Sequence, residues 1–244
     1  MSQVEYVEVA RARSDKGELV LRERREESGP AILELRANGV FVMDSAESSS
    51  ERALAATALG LVAEPRRVLV GGLGLGFTMH EVLADSRVER CAVVEIEEAL
   101  VEWMREGVVP HGPTMLADER AWVVVADVAD ALAEAGDATY DLVLLDVDNG
   151  PHFLVHETNA RLYERAFLRE VRRVVAPGGA LVVWSMDEAA TLQQELAVVF
   201  DRVEALPRPV RLQDRDEQYW LLVGRADHAG DEGVGAPQQP PSPR

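Results

Sequence analysis

The sequence has a single cysteine and a single lysine, few aromatic side chains and no long hydrophobic run. One cysteine, Cys91, excludes an internal disulfide and any cysteine-rich metal site. Without a run of about 18 apolar residues there is no transmembrane helix. The N-terminus has no apolar segment of the kind found in a secretory signal. Together these absences predict a cytoplasmic protein.

Basic residues are also scarce. The chain has 25 Lys and Arg against 43 Asp and Glu, which gives a formal net charge of −18. This charge argues against nucleic acid or an anionic membrane as a partner, because both repel an acidic surface. It favours a cationic substrate. The 244 residues suffice for one substantial core with a small additional element.

The most informative stretch of the chain is 67–84. Residues 67–70 are mostly apolar and β-branched, as in a buried parallel strand. The turn that follows contains Gly72, Gly74 and Gly76, and residues 77–84 have the apolar face of a helix. Glycines between a strand and a helix let the backbone turn tightly and approach a ligand. The stretch therefore indicates a site for a nucleotide-like ligand, although this glycine spacing alone also fits a structural turn.

From residue 67 onward, strand and helix patterns alternate. This order predicts an α/β fold with a doubly wound, mainly parallel, seven-stranded Rossmann-like sheet. A long amphipathic helix is expected over 158–175, and a loop around 110–113. Alternating patterns and an Asn-Gly turn before residue 45 predict a small antiparallel β element. The expected domains are an N-terminal β element (1–50), a Rossmann-like domain (51–226) and a disordered tail (227–244).

Acidic residues follow successive predicted strands. Glu95, Asp127, Asp146 and Asp148 lie where the second, third and fourth strands of the parallel sheet end. Ligands of doubly wound sheets bind outside these strand ends. Glu95 is well placed to accept hydrogen bonds from the ribose hydroxyls of a nucleoside. Any one of these acids could be a solvated residue, but the whole set favours an adenosine-like ligand.

Several stretches resemble the spermidine synthases, within the class I S-adenosylmethionine-dependent methyltransferase fold. The supporting stretches are 38–43, 68–76, 81–83, 93–96, 118–120, 127, 140–146, 162–163 and 176–181. The resemblance implies an adenosyl-sulfonium donor, either S-adenosylmethionine or its decarboxylated form. Spermidine synthase-like proteins often pair through regions that include the N-terminal element, so it also implies a homodimer.

The resemblance assigns roles to individual residues. Glu95 would bind the ribose, Ile96 would pack on the adenine, and Asp127 would hold the adenine amino group. Asp146 would orient and deprotonate an attacking amine, because an ammonium is no nucleophile until it loses a proton. Asp148 would add a second negative charge, which makes Asp146 and Asp148 the candidate catalytic residues. The implied donor site comprises Gly72, Gly74, Gly76, Glu95, Ile96, Asp127, Val128 and Asp146.

Departures from the family pattern bear on the reaction. Spermidine synthases usually have an Asp within the glycine motif that pairs with the donor's amine, and here that position is Leu75. Without this acid, a cationic aminopropyl tail would lose its counter-charge in a partly buried site. A methionine carboxylate could instead lie near the amides of the glycine loop. The sequence therefore favours S-adenosylmethionine and methyl transfer to a small, cationic acceptor.

Two other functions stay open. A polyamine aminopropyltransferase would bind its amine through other acids, such as Glu47, Asp146 and Asp148. A non-catalytic adenosyl-binding protein would hold the nucleoside without turnover. His152 and His156 are typical of surface or lid histidines, with a role as base as the alternative. No metal is expected, since Asp146, Asp148 and His152 match no firm ligand spacing. The expected partner is a small molecule, with amines as candidates.

Overall fold

The computed structural model describes residues 4–27, 29–147, 149–212 and 215–227. Four N-terminal strands form an antiparallel sheet in chain order, and Asn38 and Gly39, both at positive φ, make the turn between its last two strands. The predicted antiparallel element is confirmed. Its first strand gives little signal in the sequence, because its side chains are mostly exposed and many are charged. The strands are β1 (Glu5–Ser14), β2 (Gly17–Arg25), β3 (Ile32–Ala37) and β4 (Val40–Asp44).

The second sheet has seven strands in the order β10-β11-β9-β8-β5-β6-β7. Strands β9, β8, β5, β6 and β7 run parallel, while β10 and β11 form an antiparallel hairpin beside β9. The predicted mainly parallel, seven-stranded α/β sheet is confirmed. The strands are β5 (Arg67–Gly71), β6 (Arg90–Glu95), β7 (Ala121–Val125), β8 (Tyr140–Leu145), β9 (Val175–Ser185), β10 (Arg202–Leu212) and β11 (Arg215–Arg225).

Helices cover both faces of this sheet. Val68 and Val70 of β5 pack into one hydrophobic core with α1 to α3, and Leu69 packs into a second core with α5 to α7. This alternation is what a strand buried on both faces produces. The helices are α1 (Ser49–Leu61), α2 (Phe77–Ala84), α3 (Glu98–Glu106), α4 (Gly112–Leu116), α5 (Val128–Glu134), α6 (Arg165–Val174) and α7 (Ala190–Val199).

The structure corrects two local predictions. The single helix expected over 158–175 is wrong: a 3₁₀ helix (Glu157–Tyr163) and α6 are separated by Glu164, whose backbone is extended. The expected loop around 110–113 is also wrong, because α4 begins at Gly112 with Pro113 in its first turn, where proline is tolerated.

Other sequence predictions concern the lone cysteine, membrane spans and the tail. Cys91 lies in the core on β6, and burial raises the pKa of its thiol to about 12, which fits a structural side chain. Within the described ranges, no helix is long and apolar enough to cross a bilayer. Of the predicted tail, residues 228–244 lie outside the described residues.

Candidate active site

A cavity of about 610 Å³ lies at the carboxyl ends of the parallel strands, between the sheet and the N-terminal element. Aliphatic and aromatic side chains form much of its wall. Among the described residues that line it there is no Lys or Arg, so its electrostatic character is anionic. Its carboxylates belong to Asp44, Glu47, Glu51, Glu95, Glu97, Asp127 and Asp146.

The glycine loop after β5 forms one side of the cavity. Gly72 has a φ of +94°, and a Cβ at this position would lie 2.1 Å from the carbonyl oxygen of Asp146. Only glycine fits both this conformation and this close approach. Gly72 and Gly74 line the cavity, whereas Gly76 caps the N-terminus of α2 outside the lining.

Most amides of this loop already have acceptors. The N–H of Gly72 donates to the carbonyl of Val94 (2.9 Å), and that of Gly76 donates to the carbonyl of Leu73 (2.8 Å). The N–H of Leu73 donates to a Glu95 carboxylate oxygen at 2.8 Å. The amide of residue 75 lies 3.2 Å from a methionine sulfur. A ligand carboxylate would therefore find few free donors here, which removes the main reason for expecting a methionine tail.

Glu95 ends β6 and is buried beside the loop. One carboxylate oxygen accepts from Leu73 N and the other accepts from Glu97 N, each at 2.8 Å. Burial raises the pKa of Glu95, and these amide bonds work in the opposite direction. The side chain thus ties the glycine loop to the start of α3. Ile96, which follows it, also lines the cavity.

Asp127 and Val128 line the cavity beyond the end of β7. One oxygen of Asp127 accepts from Ala129 N at 2.8 Å and so caps α5, and the other pairs with Arg161 of the 3₁₀ helix. The capping role follows from an acid before a helix, but the arginine partner has no signal in the sequence. These contacts fix the Asp127 carboxylate at the cavity wall.

Asp146 follows β8 and faces the cavity. The hydroxyl of Thr78, in the first turn of α2, donates to its Oδ2 at 2.8 Å and lies 3.4 Å from the carbonyl oxygen of Glu51. Burial raises the pKa of Asp146, and the Thr78 hydrogen bond works against that rise. Burial first, and the charge of Asp146 second, raise the pKa of Glu51. Two carboxyl groups that resist ionisation thus share one wall of the cavity.

Leu75, the departure in the glycine motif, is not among the described residues that line the cavity. Its side chain is fully buried in the core, and its carbonyl oxygen lies 2.6 Å from His111 Nε2. Position 75 therefore supplies packing to the core and no charge to the ligand.

Two other predicted positions lie near the rim. His156 lines the cavity, whereas His152 is exposed and its Nδ1 lies 2.7 Å from Asp187. The second candidate catalytic acid, Asp148, lies outside the described residues. Within those residues no group of three or more His, Cys, Asp or Glu side chains could hold a metal ion.

Comparison with known proteins places this arrangement in a family. The "Spermine/spermidine synthase domain" family matches residues 47–203. The chain belongs to this family. The spermidine synthase bound to the transition state analogue AdoDATO has the same fold, with a TM-score of 0.73 and 16% identity over 89% of this chain and 73% of that one.

Curated relatives carry two different names. The polyamine aminopropyltransferase of Aeropyrum pernix is 29% identical over 83% of this chain and 69% of its own length. Putrescine N-methyltransferase 3 of Nicotiana tabacum is 30% identical over 50% of this chain and 31% of its own length. Matches to other curated aminopropyltransferases span 37 to 50% of those proteins. The spermidine synthase family expected from the motifs is confirmed.

Three residues of the cavity wall, and Thr78, which bonds Asp146, were not predicted from the sequence. Glu51 resembles any acid in the first turn of a helix, where the helix dipole favours it, so its position carries no special signal. Thr78 reads as an ordinary helix residue. Trp184 and Tyr219 both line the cavity, with ring centroids 4.8 Å apart. They come together only because β11 pairs with β9.

Proposed function

We propose that this protein transfers an aminopropyl group from decarboxylated S-adenosylmethionine to a small amine. The observation that carries the proposal is the cavity, lined by seven carboxylates and no described Lys or Arg. Both substrates of this reaction are cations, the donor at its sulfonium and amine and the acceptor at its ammonium. The names of the family and of most curated relatives support the same reaction. Methyl transfer, the leading expectation from the sequence, has less support.

The chain's residues serve the reaction by binding, alignment and proton transfer. The acceptor ammonium first gives one proton to the Asp146 carboxylate. The neutral amine nitrogen then forms a bond to the propyl carbon attached to the sulfonium, and the electrons of the breaking carbon–sulfur bond go to sulfur. The products are a secondary ammonium and the neutral thioether methylthioadenosine. Glu95, Ile96 and Asp127 position the nucleoside so that nitrogen, carbon and sulfur are in line.

Two features oppose full-length S-adenosylmethionine as donor. Its carboxylate would enter an anionic cavity that has no described basic side chain, and the loop amides at 72, 73, 75 and 76 already have acceptors. An unpaired carboxylate in such a site is costly. The aminopropyl tail has no carboxylate, and its amine is matched by the acids.

Methyl transfer to an amine is the second candidate. Leu75 favours it, because the family's usual counter-charge for the donor amine is missing at this position. The resemblance to a tobacco putrescine N-methyltransferase also favours it. The acids of the cavity could bind an amine acceptor in either aminopropyl transfer or methyl transfer.

A transfer assay with a panel of amines tests the proposed function. The purified protein is incubated with decarboxylated S-adenosylmethionine and each of 1,3-diaminopropane, 1,4-diaminobutane, 1,5-diaminopentane and spermidine, and amine products are separated by chromatography. An amine lengthened by one aminopropyl unit supports the proposal. No such product from any acceptor, by a protein that binds methylthioadenosine, would contradict it.

A further inference from the structure

The acids of the cavity differ in how far their oxygens are already occupied. Asp44 accepts from the amides of residues 46 and 47, both at 2.9 Å, and Glu47 accepts from the amide and hydroxyl of Ser49. These two carboxylates hold the turn between β4 and α1. These hydrogen bonds fall on one oxygen of each carboxylate, and the second oxygen of Asp44 lies 3.6 Å from Arg24. The second oxygen of Glu47 receives no hydrogen bond from a described residue, but Glu47 is less deeply buried than Glu51.

The acids on the nucleoside side are occupied as well. Both oxygens of Glu95 accept from backbone amides. Both oxygens of Asp127 are engaged, one in a helix cap and one with Arg161. Glu97, at the rim, accepts from the hydroxyl of Ser14 at 3.2 Å.

Glu51 and Asp146 also keep open oxygens, and these two acids lie at one wall of the cavity. Glu51 is only 8% exposed, and its Oε2 accepts from the hydroxyl of Ser50 at 2.7 Å. Its Oε1 receives no hydrogen bond from another described residue, and neither does Oδ1 of Asp146, whose Oδ2 accepts from Thr78. Neither oxygen is among the described buried polar atoms that lack a partner, so both remain accessible from the cavity. A carboxylate as little exposed as that of Glu51 is poorly hydrated, which disfavours its ionised form in the free protein. A donor with positive charge at this point would satisfy it.

We propose that Glu51 binds the cationic nitrogen of the acceptor together with Asp146 and so selects alkylammonium acceptors over neutral ones. The inference rests on the proposed function and adds to it a residue that binds the acceptor's ammonium group. An ammonium has three N–H donors, enough to bond the open oxygens of both carboxylates. Asp146 takes the proton that is lost in the reaction, while Glu51 stays as the counter-charge. Trp184 and Tyr219 give the same cavity an apolar wall for the alkyl chain.

Other charged groups around Glu51 do not replace this role. Arg52, next to it in sequence, is directed to Glu81, 3.3 Å away. The charges of Asp146 and Glu47 act on Glu51, and the charge of Glu51 acts on the phenol of Tyr219. None of these three groups is a cation. No described cation competes for its open oxygen.

Steady-state kinetics of Glu51→Gln test the inference. Glutamine keeps the size of the side chain and removes its charge. We expect the KM for 1,4-diaminobutane to rise about 10- to 100-fold, as for loss of a charged hydrogen bond. The KM for the donor and the Kd of methylthioadenosine should change much less, because the nucleoside contacts are assigned to Glu95, Ile96 and Asp127. Glu102→Gln, an exposed acid of α3, is the matched control and keeps wild-type values.

The remaining outcomes separate the inference from the proposed function. An acceptor KM in Glu51→Gln within about threefold of wild type overturns the inference and leaves the proposed function intact. If wild type transfers nothing to any amine, the inference about Glu51 is tested by calorimetry of 1,4-diaminobutane binding to the methylthioadenosine-bound protein. If wild type binds the amine and Glu51→Gln binds it more weakly, the inference is supported. If wild type does not bind the amine, the inference is overturned. If Glu51→Gln does not fold, Glu51→Asp replaces it, and an unchanged acceptor KM there overturns the inference.

Discussion

Glu51 and Asp146 meet at one wall of the cavity, although one belongs to the first turn of α1 and the other follows β8. Thr78 links them, with its hydroxyl bonded to the Asp146 carboxylate and close to the Glu51 carbonyl oxygen. The charge of Asp146 opposes ionisation of Glu51. This pairing of a buried and a partly buried acid gives the free protein an unfavourable contact that a cationic substrate would relieve.

Replacing Asp146 tests its role as base. We expect Asp146→Asn to lower kcat about 100- to 10,000-fold, because asparagine cannot accept the ammonium proton. The Kd of methylthioadenosine should change far less than kcat. Single-turnover kinetics and calorimetry measure the two quantities. Asp130→Asn, an exposed acid of α5, serves as the control, and a kcat of Asp146→Asn within tenfold of wild type would show that another group takes the proton.

Glu95 is predicted to hold both the nucleoside and the glycine loop. Glu95→Ala leaves the amides of Leu73 and Glu97 without acceptors, each at a cost of about 1–3 kcal/mol. We therefore expect a lower free energy of unfolding together with loss of methylthioadenosine binding. Denaturant titration and calorimetry check the two effects, with Glu102→Ala as control. Unchanged nucleoside affinity would refute the placement of the donor site.

Substitutions of Leu75 test whether this position packs in the core, as in the structure, or contacts the donor, as in the family's usual glycine motif. Its side chain is fully buried in the core, so Leu75→Asp should lower the free energy of unfolding by about 3–5 kcal/mol, the usual cost of an uncompensated buried charge. Leu75→Met keeps the volume and should cost less than about 1.5 kcal/mol. Chemical denaturation measures both. A stable Leu75→Asp protein with tighter donor binding would mean that this position faces the donor after all.

The pH dependence of stability reports on Glu51. Because its folded-state pKa is raised above the ordinary carboxyl value near 4, the folded state holds a proton that the unfolded state has lost. The stability that this proton contributes is complete below about pH 4 and is lost as the pH rises through the raised pKa.

Glutamine does not titrate, so the Glu51→Gln variant should gain stability relative to wild type as the pH rises through that window. The gain should reach about 1.4 kcal/mol for each unit of pKa shift. Denaturant titrations at pH 5, 6, 7 and 8 measure it. A constant difference between the two proteins at all four values would rule out a raised pKa at this residue.

Much of the fold follows from local patterns. Buried parallel strands leave apolar runs, and the glycines after residue 70 mark the loop, so β5 and α2 are readable from sequence alone. The break at Glu164 is not, because apolar residues keep helical spacing on both sides of it. On the site, strand-end acids such as Glu95 and Asp127 are predictable from topology. Glu51 is not, since only the packing of α1 against the sheet brings it to the cavity.

A competition between the two donors tests the central claim most directly. The protein is given equal concentrations of S-adenosylmethionine and its decarboxylated form together with 1,4-diaminobutane, and the nucleoside products are quantified by mass spectrometry. Methylthioadenosine as the dominant, amine-dependent product is the predicted result. S-adenosylhomocysteine as the dominant product would contradict aminopropyl transfer and establish methyl transfer in its place.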